Sequence, residues 1–465
     1  MLKKTVLVLG VLVLAAGAYA YSYVRDLAAI TSGYVSQTLC TNVLMIGRDK
    51  EEVETLDLSA KQHSFTTSTI MGDRVETTAQ MGPVSYTTTS VYRPGLGCSN
   101  IAGWPLEEVQ AIGLKTQLHE SEIVSVWPAV EANVPSGNTE KLTAAVNSAF
   151  TETTDNVYEK KNTRAVLVHH KGKLIAERYA KGFDGETPLR SMSMTKSATS
   201  ALVGILVGQG KLDIHKPAPV DGWSEVNDPR SQVTTHHLLK MIAGFDYNEA
   251  YEKQPRNLLS VMLMSQPDMA AFAAQTPLLA EPGNSWDYQT THSVLLQRVI
   301  RSTIGDDQAY FRFPQEELFN KLGMRNSFFQ ADASGTFSGG AFMYASGRDW
   351  MKLGLLYLND GVHNGERVLP EGWVEYSTTP SEPSLQKRAY GAQIWLNAPA
   401  PEQLFPGLPE DAFAFQGHYG QYVVVIPSLQ LVVVRMGMTY ENGDFDKLAF
   451  LKDIIAALPQ GIAEA

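Results

Sequence analysis

Ser193-Met194-Thr195-Lys196 sets a hydroxyl and an amine three residues apart at the head of an apolar segment. A helix turns once in 3.6 residues, so positions i and i+3 share a face. If Ser193 opens a helix, an unprotonated Lys196 amine lies where it can take the serine proton and make the oxygen a nucleophile. A second copy of the spacing, Ser384-Leu385-Gln386-Lys387, follows Thr378-Thr379-Pro380-Ser381-Glu382-Pro383. That composition reads as a loop with no helix to align the two side chains. Context separates the copies.

After Lys196 the chain runs from Ser197 to Gly210 without a proline or a charge. Apolar side chains nearly all round predict a helix buried in a large domain, and Gly210-Lys211 fits its stop. Such a helix presents free N–H groups and a positive dipole end beside Ser193. The bland reading makes Ser193 an N-cap and Lys196 a solvated first-turn residue.

Two further segments are candidates for groups that acyl transfer needs. Taken alone, Tyr288 reads better as a structural ring, and the glycine stretch around His418 also reads as a β-bulge with a surface histidine. In Glu281–Thr290 a Pro-Gly turn leads into Tyr288, ahead of an apolar run from Val294 to Ile300. Phe415–Gln421, with glycines at 417 and 420, precedes an apolar strand, Tyr422–Ile426. Glycine on a strand edge allows close backbone approach, which a backbone donor to a reacting oxygen requires.

The elements that would position these groups follow from periodicity. Residues 26–127 read as a small accessory region with strands near Phe65–Ile70, Val75–Met81 and Val84–Tyr92. Residues 128–137 read as a linker. The remainder, 138–465, opens with a helix near Thr139–Thr151 and a hairpin, Arg164–His170 and Leu174–Tyr179, turning at Lys171-Gly172. A helical middle, about 190–375, leads to strands Tyr422–Ile426 and Leu431–Met436 and a helix near Lys447–Leu458. The expected architecture is α/β (α+β), an antiparallel sheet built from both ends of the domain with a helical lobe inserted.

These motifs, in this order, resemble the serine β-lactamase-like hydrolases. That group holds class C β-lactamases, D-alanyl-D-alanine carboxypeptidases, carboxylesterases and 6-aminohexanoate-dimer hydrolases. Arg190–Ser197 looks like the S-x-x-K nucleophile motif, Tyr288-Gln289-Thr290 like Tyr-x-Asn, and His418-Tyr419-Gly420 like Lys-Thr-Gly in a His-x-Gly form. Thr235–Phe245 and Tyr344–Trp350 extend the likeness, which covers about 138–460. It implies a β-lactamase/transpeptidase-like fold and acyl transfer without a cofactor. Ser193 would be the nucleophile, Lys196 and Tyr288 the proton relay, and the backbone N–H groups of Ser193 and Gln421 the oxyanion hole. Near neutral pH the relay's base must titrate well below its free value of about 10. Thr290 and His418, with Gly420, would contact substrate. Their departure from asparagine and lysine argues against strong β-lactam hydrolysis. It is similar to the 6-aminohexanoate-dimer hydrolase branch, which acts on linear amides and esters. That branch implies a further substrate-binding tyrosine, here Tyr251 rather than Tyr247.

Composition narrows the partners. A net charge of −11 argues against nucleic acid. Lys3 and Lys4 precede an uncharged stretch, Thr5–Val24, so residues 1–25 read as a signal peptide or N-terminal membrane anchor, and the rest as periplasmic. Ala18-Tyr19-Ala20 resembles a cleavage site. The only cysteines, Cys40 and Cys98, are expected to form a disulfide in an oxidising compartment. No H-E-x-x-H or G-x-S-x-G occurs, which argues against a zinc hydrolase and an α/β-hydrolase. Two rivals remain: a β-lactamase or D-alanyl-D-alanine carboxypeptidase-like enzyme, and a non-catalytic peptidoglycan- or partner-binding protein.

Overall fold

The computed structural model describes residues 2–58, 64–115 and 136–458, apart from Val226, Asn248, 250–253, 441 and 442. The expected linker therefore lies almost wholly outside the described residues. The chain divides into two compact units, one comprising 1–114, 247–273 and 330–336, the other 115–246, 274–329 and 337–465.

The first unit is built on one long helix, Leu2–Leu39, and a four-stranded antiparallel sheet in sequence order. The strands are β1 (Thr66–Met71), β2 (Arg74–Met81), β3 (Val84–Arg93) and β4 (Gly97–Asn100). The first three match the expected strands; β4 is too short and too poor in β-branched residues to declare itself. The expected leader is the first half of the long helix, exposing Leu9, Val11, Leu12, Val13 and Leu14, whereas Ala28, Val35 and Leu39 are buried in the unit's core. Among the described residues no helix is long and apolar enough to cross a membrane. Cys40 and Cys98 are bonded, with Cα atoms 6.0 Å apart, joining the helix end to β4. Closing that loop contributes about 4 kcal/mol on the chain-entropy account.

Two later segments complete this unit by hydrogen bonding to its buried polar groups. The Arg93 guanidinium donates to the carbonyls of Asp332 (2.5 Å) and Ala333 (3.4 Å). Ser99 Oγ donates to Ala331 O at 2.6 Å, and Asn100 Nδ2 to Met264 O at 3.0 Å. A buried arginine needs its N–H groups satisfied, so these carbonyls are part of the unit's structure.

In the second unit a six-stranded antiparallel sheet runs in the order β12-β13-β14-β15-β5-β6. Its members are β5 (Thr163–His170), β6 (Lys173–Tyr179), β12 (Trp395–Leu396), β13 (Phe413–Gly417), β14 (Gln421–Ile426) and β15 (Leu431–Gly437). Strands from the start and end of the unit meet where β15 pairs with β5, the arrangement expected from sequence. The β5–β6 turn places Lys171 and Gly172 at φ +47° and +79°, the primed-turn backbone that suits a two-residue hairpin. β14 and β15 are buried throughout, because both faces are covered. On one face lie Leu142 and Val146 of the helix Ser136–Ser148, with Phe450 and Ile454 of Lys447–Ala456. On the other, the helix Gly347–Leu358 approaches so closely that a Cβ at Gly354 would lie 2.7 Å from Val423 Cγ1.

The helical lobe sits between β6 and β12 in the chain. Short strands β7 (Leu189–Arg190), β8 (Phe328–Phe329) and β9 (Met343–Ala345) form a three-stranded sheet in it, in the order β7-β9-β8; β10 (Val362–His363) and β11 (Glu366–Arg367) form a hairpin. The helix Thr195–Gly208 is buried along most of its length, and Gly210, φ +67°, just past its C-cap Gln209, is the expected stop. The second S-x-x-K copy corrects the loop expectation, since Glu382–Leu385 is a short helix with proline in its first turn. Its hydroxyl is nonetheless engaged by backbone: Ser384 Oγ donates to Ser381 O at 2.7 Å and accepts from Tyr390 N at 3.2 Å. Lys387 is exposed.

Candidate active site

Ser193 lies in a single 3₁₀ turn, Met192–Met194, that feeds directly into the helix Thr195–Gly208, rather than on the α-helix proper. Met192 adopts φ +49°, a left-handed backbone that a side-chain-bearing residue takes only when its surroundings over-determine it. They do so here. β7 pairs with β9, Ser191 N donates to Met343 O at 2.9 Å, and Trp350 Nε1 donates to Ser191 Oγ at 2.8 Å.

Lys196 is 1 % exposed, so the solvated first-turn reading does not hold. Its Nζ lies 3.1 Å from Ser193 Oγ, 3.0 Å from Thr290 Oγ1 and 3.0 Å from Gly340 O. It also faces the ring of Tyr288, 5.0 Å from the centroid. Tyr288 is half-buried just before the helix Thr290–Ile304, stacked on Trp395 (4.8 Å) and edge-on to Tyr390 (5.8 Å). Serine, lysine and tyrosine are thus brought together. Thr290, expected from sequence to contact substrate, is buried with its hydroxyl accepting from the lysine.

The third segment is a hairpin. β13 ends at Gly417 and β14 begins at Gln421, paired with each other across a three-residue turn. A Cβ at Gly417 would lie 2.5 Å from Ser191 O, so glycine is what lets this strand end meet the serine turn. The Gln421 side chain is spent on structure: Nε2 donates to Arg190 O at 2.9 Å and to His418 O at 3.3 Å. His418 and Tyr419 have ring centroids 4.1 Å apart, and Tyr419 and Gly420 take φ +66° and +70°. Tyr251 lies outside the described residues, whereas Tyr247 is buried in the first unit beside Met262. Among the described residues no group of three His, Cys, Asp or Glu side chains is placed to hold a metal ion.

Several residues here carried no sequence signal. Gly340 supplies an acceptor to Lys196 from far along the chain. Gln393, 2 % exposed and at φ +63°, ties three elements together. It accepts from Ser197 Oγ at its carbonyl (2.8 Å) and from Ser293 Oγ at Oε1 (2.6 Å), and donates through Nε2 to Leu238 O and Leu239 O. The left-handed backbone of Gln393, invisible in the sequence, is what marks it as special.

His292 follows Lys196's partner Thr290 by two residues on the same helix and is fully buried. Burial pushes its pKa down to about 3; its hydrogen bond to the Gln289 carbonyl opposes this, and the nearby Lys196 adds to the lowering. Below pH 6.5 the unfolded chain binds a proton that the native imidazole refuses until about pH 3. Stability is therefore lost as pH falls through that window, by roughly 1.4 kcal/mol per pH unit. The thermal midpoint of the protein should drop between pH 6.5 and 4, and His292→Asn should flatten the drop. Equal slopes in both proteins would exclude His292 as its source.

Residues 156–457 match the beta-lactamase family model. The chain belongs to the beta-lactamase family. It is a hydrolase family, and the antiparallel sheet with its inserted helices is the family's β-lactamase/transpeptidase-like fold. The 6-aminohexanoate-dimer hydrolase of Paenarthrobacter ureafaciens is 26 % identical over 226 residues, covering 46 % of this chain and 56 % of its own length. An uncharacterized protein of Alkalihalophilus pseudofirmus is 22 % identical over 305 residues, 58 % of this chain and 82 % of its own. Among solved structures, a penicillin-binding protein homolog from Caulobacter crescentus superposes with a TM-score of 0.51 at 14 % identity, over 69 % of this chain and 98 % of that one. A family VIII carboxylesterase gives 0.50 at 16 %, over 70 % and 97 %. At such identities these two structures speak for the fold alone.

Proposed function

We propose that this protein is a serine hydrolase that cleaves amide or ester bonds of small linear substrates through an acyl-enzyme. The observation that carries the reading is the buried Lys196 amine 3.1 Å from Ser193 Oγ. A protein that only binds a partner gains nothing from burying a lysine against a serine. In the first step Ser193 Oγ bonds to the substrate carbonyl carbon and its proton passes to Lys196 Nζ. The developing oxyanion accepts backbone N–H bonds from Ser193 and from the turn closed by Gln421. The carbonyl re-forms as the bond to the leaving group breaks, and the proton is delivered to that amine or alkoxide through Lys196 and Tyr288. Water then attacks the acyl-enzyme, its proton returning by the same relay to Ser193.

His418 in place of a lysine at the turn, and Thr290 turned toward Lys196, favour linear substrates over β-lactams. The 6-aminohexanoate-dimer hydrolase among the relatives supports that preference. We also read the protein as exported, on Lys3-Lys4, the apolar run and the disulfide; a cytoplasmic pool in cell fractionation would exclude it.

Mass spectrometry of the purified chain after fluorophosphonate treatment tests the chemistry. One adduct, on the Ser193 peptide, is expected, and none on Ser193→Ala. Absence of an adduct on the wild type would leave a binding role. Turnover of short esters, linear amide oligomers, D-amino-acid peptides and nitrocefin then ranks the substrates.

A further inference from the structure

Arg435 is the one charge in the otherwise apolar run Leu431–Gly437 of β15, and it is fully buried. Every hydrogen bond of its guanidinium ends on a neutral oxygen. NH1 donates to Tyr419 O at 3.0 Å and Gly420 O at 2.9 Å. NH2 donates to Lys161 O, Thr163 Oγ1 and Thr439 Oγ1 at 2.6 to 2.8 Å, and Nε to Thr163 Oγ1 at 3.2 Å. Two glycines make room for it. A Cβ at Gly437 would lie 2.6 Å from its central carbon, and one at Gly420 would lie 2.9 Å from NH1. The ring of Phe445 covers the guanidinium at 4.2 Å. A desolvated cation is costly, and simple strand packing would be better served by a valine.

What that cost secures is the turn between β13 and β14. Both carbonyls that NH1 holds belong to its left-handed residues, Tyr419 and Gly420. Thr439 N adds a third bond, to Tyr419 O at 3.1 Å. A trans peptide is planar with its C=O and N–H opposed, so pinning a carbonyl on the arginine turns the next N–H to the far side of that plane. A cation on the carbonyl also polarises the unit, making its N–H a stronger donor. We infer that Arg435 is a positioning residue for catalysis, fixing the peptide planes of the Tyr419–Gln421 turn from the neighbouring strand β15. It touches no substrate. The inference rests on the serine-hydrolase reading for its catalytic consequence, but the ordering of the turn is a property of the fold.

The decisive comparison uses Arg435→Lys in the full chain, with a phenyl ester and its thiono analogue as paired substrates. Sulfur is a weak acceptor, so a preorganised set of N–H donors discriminates in favour of oxygen. A loosened turn should cut kcat for the oxygen ester by about 30-fold or more with little change in KM, and narrow the oxygen-over-sulfur ratio by about 10-fold. Hydrogen exchange of the peptide covering 413–426 should quicken at the same time. Equal loss for both esters, or an unchanged ratio, would overturn the inference. If Arg435→Lys does not fold, Thr439→Val removes one anchor of the guanidinium while keeping the arginine. It should shift the ratio in the same direction by about threefold, and an unmoved ratio there is equally fatal. A wild type that takes no fluorophosphonate defeats the functional reading. A labelled wild type whose turn exchanges no faster in the variants defeats the role of Arg435 alone.

Discussion

Lys196→Ala should lower kcat/KM for p-nitrophenyl esters by about 10³-fold or more, within the range that a positioned general base contributes. The thermal midpoint should stay within about five degrees, because Thr290 Oγ1 and Gly340 O, the other partners of Nζ, can be rehydrated in the space vacated. Lys196→Arg should not restore turnover, since a guanidinium does not give up its proton near neutral pH. Activity regained in the arginine variant would mean that Lys196 supplies charge rather than a base. A collapse of folding in the alanine variant would instead make Lys196 structural.

Gly340→Ala is expected to come next in severity. A Cβ there would lie 2.4 Å from Thr290 Cγ2, a contact that forces either Gly340 or Thr290, both partners of Lys196, to move. Overpacking of this kind costs about 1–3 kcal/mol. We expect at least a 100-fold fall in kcat, because displacement of a positioned group by an ångström is worth about that much. Thr290→Ser deletes the clashing methyl and keeps the hydroxyl that accepts from Lys196. In the double variant most of the lost turnover should return, and the coupling is read from a double-mutant cycle. Additive losses would place the damage elsewhere.

The two S-x-x-K copies illustrate how far local sequence reaches. Ser193 and Ser384 share a spacing, and only the flanking composition distinguishes a long buried helix from a short helical turn. That composition is legible because helix length, a proline-free run and a terminal glycine are local properties. The hairpin at Lys171-Gly172 and the two final strands are legible for the same reason. The Ser384 segment shows the limit: four residues of helix, with one proline before it and one in its first turn, leave no periodicity to read.

The sequence by itself determined that a hydroxyl and an amine stand three residues apart at the head of a buried helix, that a tyrosine precedes a helix, that glycines end a strand, and that the sheet is assembled from both ends of the domain. These follow from the 3.6-residue repeat, turn chemistry and strand patterning, all short-range rules. Only the tertiary structure decided that Thr290 serves the lysine, and that Gly340, 144 residues from Lys196, accepts from it. Only there does Trp395 brace Tyr288 and Arg435 pin the turn. Those contacts join segments whose proximity depends on how β7, β9, β13 and β15 pair. Strand pairing is chosen by the burial of whole faces rather than by any residue that later meets across them.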